Sequence, residues 1–118
     1  IDQFGGDGTI SARLMEASSN QSGDNNQSTI SQTNTLVAGA SSGNFASVDQ
    51  SGNDNISTVL QDGALNEASV DQSGSNNESY VSQAGSGHTA TVTQGSDLNN
   101  SVVNQTGINN TATVTQGM

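Results

Sequence analysis

The chain contains no cysteine, no proline, no lysine and no tryptophan. Without cysteine it has neither disulfide stapling nor thiolate chemistry. The lack of proline is unusual for a linker or a disordered tail, which usually carry some. Arg13 is the only basic residue against eleven acidic ones, for a formal net charge of -10. Such a chain has no Lys/Arg patch to track phosphates, so nucleic acid is excluded as a partner, and it repels anionic membranes. The same acidity keeps the free chain soluble. Aromatics make up 3% and hydrophobic residues 29% of the chain. That is too little to offset ordering entropy with a bulky core. No apolar run is long enough for a transmembrane segment or a signal-peptide core. Ile1 in place of an initial methionine is what a processed N-terminus leaves.

What remains is largely Asn, Gln, Ser, Thr and Gly, and composition alone reads as disorder or a prion-like segment. The placement of residues says otherwise. Glutamine recurs every 11 residues at Gln50, Gln61, Gln72, Gln83, Gln94, Gln105 and Gln116. Six residues before each stands Asn44, Asn55, Asn66, Asn77, His88, Asn99 or Asn110. Two before each is Val48, Val59, Val70, Val81, Val92, Val103 or Val114. The unit is therefore N-x-(A/S)-x-V-x-Q plus four linking residues. Alternate positions are fixed and intervening ones vary, which is the period-2 signature of a β-strand with one specified face. Glycine stands at the second linking place as Gly52, Gly63, Gly74, Gly85 and Gly107. It supplies the positive φ that a sharp corner often needs. Ser96 breaks that rule, and Gly95 is expected to take over.

A longer rhythm overlies the first. The third position alternates through Ala46, Ser57, Ala68, Ser79, Ala90, Ser101 and Ala112, so the true period is two units, one pair of strands. This predicts an all-β fold, a β-solenoid with two strands per turn and a 22-residue repeat, stacked parallel and in register as cross-β. Residues 22–118 form the repeat region, in which Asn26, Ser28, Ile30 and Gln32 make an early unit. The interval from Gln32 to Gln50 is four short of a full turn, which predicts an abbreviated or irregular arc at 33–43. Residues 1–21 read as a degenerate N-terminal edge segment. Within it, Ile10, Ala12 and Leu14 mark a short strand, and Met15, Ala17, Ser19 and Gln21 a degenerate unit.

Folding such a turn points its fixed faces inward, placing fourteen Asn, Gln or His side chains in the interior. A buried amide left unpaired costs roughly 1–3 kcal/mol, ruinous at that number. In a parallel in-register stack each amide donates to its equivalent one turn away, forming ladders. The final unit, Asn110 to Gln116, is among the most regular, with no apolar or proline-bearing cap over it. A terminal turn of that kind is a template for the next molecule.

The Asn-x5-Gln units joined by short Gly-containing links resemble the curlins, subunits of bacterial curli fibres, across residues 44–116 and less fully across 22–32. The resemblance implies a secreted amyloid subunit of an extracellular, cell-surface fibre or biofilm matrix that supports adhesion. It implies copies of itself as partners, a nucleator subunit, and export through an outer-membrane pore with accessory factors. It assigns the stacking positions to Asn44/Gln50 and their successors in each later unit. His88 departs from asparagine, and asparagine opens both arcs where the family often has serine in one. The acidic, lysine-free composition is more like the major subunit than the nucleator.

Other features have competing readings. His88 without a second histidine or a cysteine reads as an asparagine stand-in rather than a metal ligand or pH sensor. Asp2, Asp7 and Gly5-Gly6-Asp7-Gly8 look like a calcium β-roll loop. That motif does not recur, so no metal or other cofactor is expected. Asp49 and Asp71, one full repeat apart, are expected to face outward on adjacent turns. Thr89-Thr91-Thr93 and Thr111-Thr113-Thr115 form two outward rows, the feature an ice-binding, soluble monomeric solenoid would show. No Ser/His/Asp grouping has catalytic geometry, so no enzyme activity is expected.

Overall fold

Successive side chains of a strand point to opposite faces, so the units inside the stack bury their fixed residues and turn their variable ones outward. The computed structural model describes residues 1–5, 15–34 and 43–117. Its strands are β1 (Asp2–Gly5), β2 (Glu16–Ser22), β3 (Gln27–Asn34), β4 (Phe45–Asn53) and β5 (Ile56–Ala64). There follow β6 (Glu67–Ser75), β7 (Glu78–Ser86), β8 (Thr89–Gln94), β9 (Asn100–Ile108) and β10 (Thr111–Gln116). They form two five-stranded sheets, β1-β3-β5-β7-β9 and β10-β8-β6-β4-β2. Every pairing is parallel. The chain alternates between sheets, and each pair of strands is one turn of an all-β solenoid. From β4 onward paired strands are offset by one full repeat, with Val48 beside Val70 and Val70 beside Val92. The Ala/Ser alternation predicts this register.

The interior lies between the sheets. Ile30, Val48, Val59, Val70, Val81, Val92 and Val103 are buried with Ala46, Ala68 and Ala90, while Ala17, Ala112 and Val114 pack against them half-buried. Gln61 Nε2 donates to the Phe45 carbonyl and Gln72 Nε2 to the Ile56 carbonyl. The end of each strand thus faces the start of one opposite, so valines of one sheet lie across from alanines or serines of the other. A buried valine contributes roughly 1.5–3 kcal/mol. Two per turn do not offset the ordering of a whole turn at about 1–2 kcal/mol per residue. One turn is stable only as part of a stack, whose backbone bonds run to the turns on either side.

The N-terminal third differs from the sequence expectation. Gln21 lies beside Gln50, and Gln3 beside Gln32, an offset seven longer than the repeat that governs the later turns. Gln32 and Gln50 stand on opposite sheets, half a turn apart, where each half-turn from Gln50 onward is a single unit. Their interval is seven too long for a half-turn, not four short of a full one. Thr33 and Asn34 belong to β3 rather than to an irregular arc. The edge segment opens with a strand at Asp2–Gly5, earlier than the expected one. Ile10, Ala12, Leu14, residues 35–42 and the Gly6-Asp7-Gly8 part of the calcium-like motif lie outside the described residues.

The corners use two left-handed residues. Gly52, Gly63, Gly74, Gly85 and Gly107 have φ between 100° and 131°. The residue just before seven of the units is also left-handed: Asn25, Asp54, Leu65, Asn76, Leu98 and Asn109 have φ of 56–61°, and Gly87 has 70°. The Gly95–Leu98 corner is different. Gly95 does not take up a left-handed φ; β8 ends at Gln94, and Asp97 Oδ1 accepts the Ser75 N–H at 2.7 Å.

Candidate functional site

Glutamine is the last fixed residue of each repeat unit, and the parallel register sets each amide over the next. In the sheet of even-numbered strands, Gln21, Gln50, Gln72, Gln94 and Gln116 form one column. Each Nε2 donates to the following Oε1 over 2.6–3.0 Å. In the other sheet Gln32, Gln61, Gln83 and Gln105 do the same over 2.8–2.9 Å. The second Nε2 hydrogen crosses the core to a backbone carbonyl. Gln50 reaches Gln27, Gln83 reaches Glu67, Gln94 reaches Glu78, Gln105 reaches Thr89 and Gln116 reaches Asn100. Gln50, Gln61, Gln72, Gln83 and Gln94 are buried and fully engaged. Gln21 and Gln32, the glutamines of the degenerate and the early unit, extend the columns beyond the stacking positions expected from Gln50 onward.

Asparagine behaves differently from the expectation that it pairs with its equivalent. Asn44 Oδ1 accepts the backbone N–H of Asn66, and Asn55 Oδ1 that of Asn77. Asn66 Oδ1 accepts from His88, and Asn77 Oδ1 from Asn99. The Nδ2 groups turn to the corner carbonyls: Asn55 to Ser51 and Gly74, Asn66 to Asp62 and Gly85. Asn99 donates to Ser96 and Asn110 to Thr106. The asparagine side chain is one methylene shorter than that of glutamine and starts beside the link, so backbone groups are nearer than the next amide. The asparagines clamp corner to corner, and the glutamines join turn to turn.

His88 occupies an asparagine place and is wholly buried. Its Nδ1 accepts the Asn110 N–H at 3.2 Å, and its Nε2 lies 3.3 Å from the Ala84 carbonyl oxygen. The serine column is less well served. Ser28, Ser57, Ser79 and Ser101 have buried hydroxyls with no hydrogen-bond partner among the described residues.

On the outer faces, Asp49 lies beside Asp71, both exposed, and Asn20 Nδ2 donates to Asp49 Oδ1 at 3.4 Å. Thr89, Thr91 and Thr93 lie beside Thr111, Thr113 and Thr115. Among the described residues no three His, Cys, Asp or Glu side chains gather to hold a metal, and no helix is long and apolar enough to cross a membrane.

No curated protein matches the chain. Residues 64–95, which run from the end of β5 through β8, match the model of the curlin-associated repeat, so a curlin-type repeat is present in this stacked solenoid.

Proposed function

We propose that this chain is a structural, non-catalytic subunit of an extracellular curli-like amyloid fibre, assembling end to end with copies of itself in a biofilm matrix and supporting adhesion. One observation carries the reading: the interior glutamines are satisfied by their equivalents one turn away, and Gln94 to Gln116 repeats the bond of Gln72 to Gln94. A stack built this way has no intrinsic length, because the next turn of another molecule offers the same partners as the next turn of its own. The curlin-associated repeat at residues 64–95 supports the same reading. With it come a nucleator subunit and a secretion pore with accessory factors as partners, the major-subunit role, and a cell-surface location.

The test is cryo-electron microscopy of the purified chain after incubation at neutral pH. Fibres with an axial repeat of about 4.8 Å and subunits docked end to end are expected. The paired threonine rows on β8 and β10 favour a second reading, a soluble monomeric solenoid of ice-binding type. Compact monomers that persist and lower the freezing point of their solution would establish that reading and exclude the fibre.

A further inference from the structure

His88 is the only imidazole in the chain, and it stands in the interior where six other units carry asparagine. Its two ring nitrogens have unlike partners. A carbonyl oxygen only accepts, so the nitrogen facing Ala84, Nε2, carries the proton. A backbone N–H only donates, so the nitrogen facing Asn110, Nδ1, is bare. The fold therefore selects the neutral ring in one tautomer, with Nδ1 standing in for the asparagine oxygen and Nε2–H for the asparagine amide.

We propose that His88 is a proton-operated latch between the fourth and fifth turns. Protonation places a hydrogen on Nδ1, which then faces the Asn110 N–H donor to donor at the position of a former bond. The charge also enters an interior in which no described residue supplies an anion to receive it. The described buried polar side chains are otherwise Gln, Asn and Ser. Of the charged residues on the packed elements, Asp62 on β5, Glu67 and Asp71 on β6, Glu78 on β7 and Asp97 in the link after β8 are all exposed. β8, β9 and β10 carry none. Asn110 also gives its carbonyl to the Thr89 N–H, and Asn109 gives its N–H to Ser86. Loss of the Nδ1 bond therefore loosens the corner that seats β10 on β8.

The direction follows from which form the fold holds. The latch is closed while the ring is neutral and opens when acid places a proton on Nδ1. Asparagine in the equivalent units makes the same bonds and does not titrate, so those joints do not share the acid response. The latch lies within one chain and operates whether or not the chain assembles.

The experiment is nuclear magnetic resonance on the ¹⁵N-labelled full chain, in solution or as solid fibres. Imidazole nitrogen shifts at neutral pH are expected to show the Nε2–H tautomer. Hydrogen exchange, corrected for its intrinsic pH dependence, is then compared between pH 7.5 and 5. The bonded amides from Asn110 to Gln116 are expected to lose protection by roughly ten-fold, equivalent to about 1.4 kcal/mol, while those of β6 do not. His88→Asn restores the residue of the other units and is expected to remove the difference. An Nδ1–H tautomer, unchanged protection in acid, or an equal loss in His88→Asn would each overturn the latch.

Discussion

Gln72 shows how a polar side chain comes to stabilise a core. Its Oε1 accepts from Gln50, and its two Nε2 hydrogens go to Gln94 and to the Ile56 carbonyl. Gln72→Leu fills the volume but strands the Gln50 hydrogen and the Gln94 oxygen. The expected loss is at least about 2 kcal/mol, read as a lower denaturant midpoint. The serine column gives the opposite sign. Ser57 and Ser79 bury hydroxyls without partners among the described residues. Ser57→Ala and Ser79→Ala should therefore each raise stability by about 1 kcal/mol. Nothing in the structure explains why serine stands there instead of alanine. The glutamine positions were legible because their spacing equals the register. The asparagine bonds were not, because spacing places a side chain without saying whether backbone or amide is nearer.

At the scale of the element, the corners set the shape of each turn. Leu65 and Leu98 hold left-handed φ while 55% and 78% exposed, so burial does not compensate the strain. Asparagine takes this place in three other corners and tolerates it. Leu98→Asn is expected to raise the melting temperature, by about 0.5–1 kcal/mol in free energy. The glycines before them are not equivalent to one another. A Cβ on Gly63 would overlap the Gly85 carbonyl, whereas one on Gly107 meets nothing within 4 Å. Gly107→Ala should cost about 1–2 kcal/mol from φ alone. Gly63→Ala should cost a further ~1–3 kcal/mol from the overlap, a ranking that thermal unfolding would test. The glycine corners were readable from sequence. The second left-handed position was not, since Asn, Asp, Leu and Gly share no side-chain chemistry that marks it. The long passage from Gln32 to Gln50 was not legible for a related reason: its length does not reveal which sheet Gln32 joins.

Across the whole molecule, charge opposes what the ladders favour. The chain carries a net charge of -10, and Asp49 stands beside Asp71. Like charges on paired strands repel. Under the proposed function, the double variant Asp49→Asn, Asp71→Asn is expected to shorten the lag before fibres appear and to blunt the acceleration by salt. Seeded growth followed by dye fluorescence at two ionic strengths is the check, and an unchanged lag would remove these carboxylates as a brake. The glutamine columns have a consequence of a different kind. Sheets carry only small net dipoles, but in both columns every amide donates in the same sense, from earlier turn to later. Aligned amides sum as they do along a helix. The solenoid is therefore a vector, with positive and negative poles set by its side chains, and a filament that prolongs it would have two chemically unlike tips.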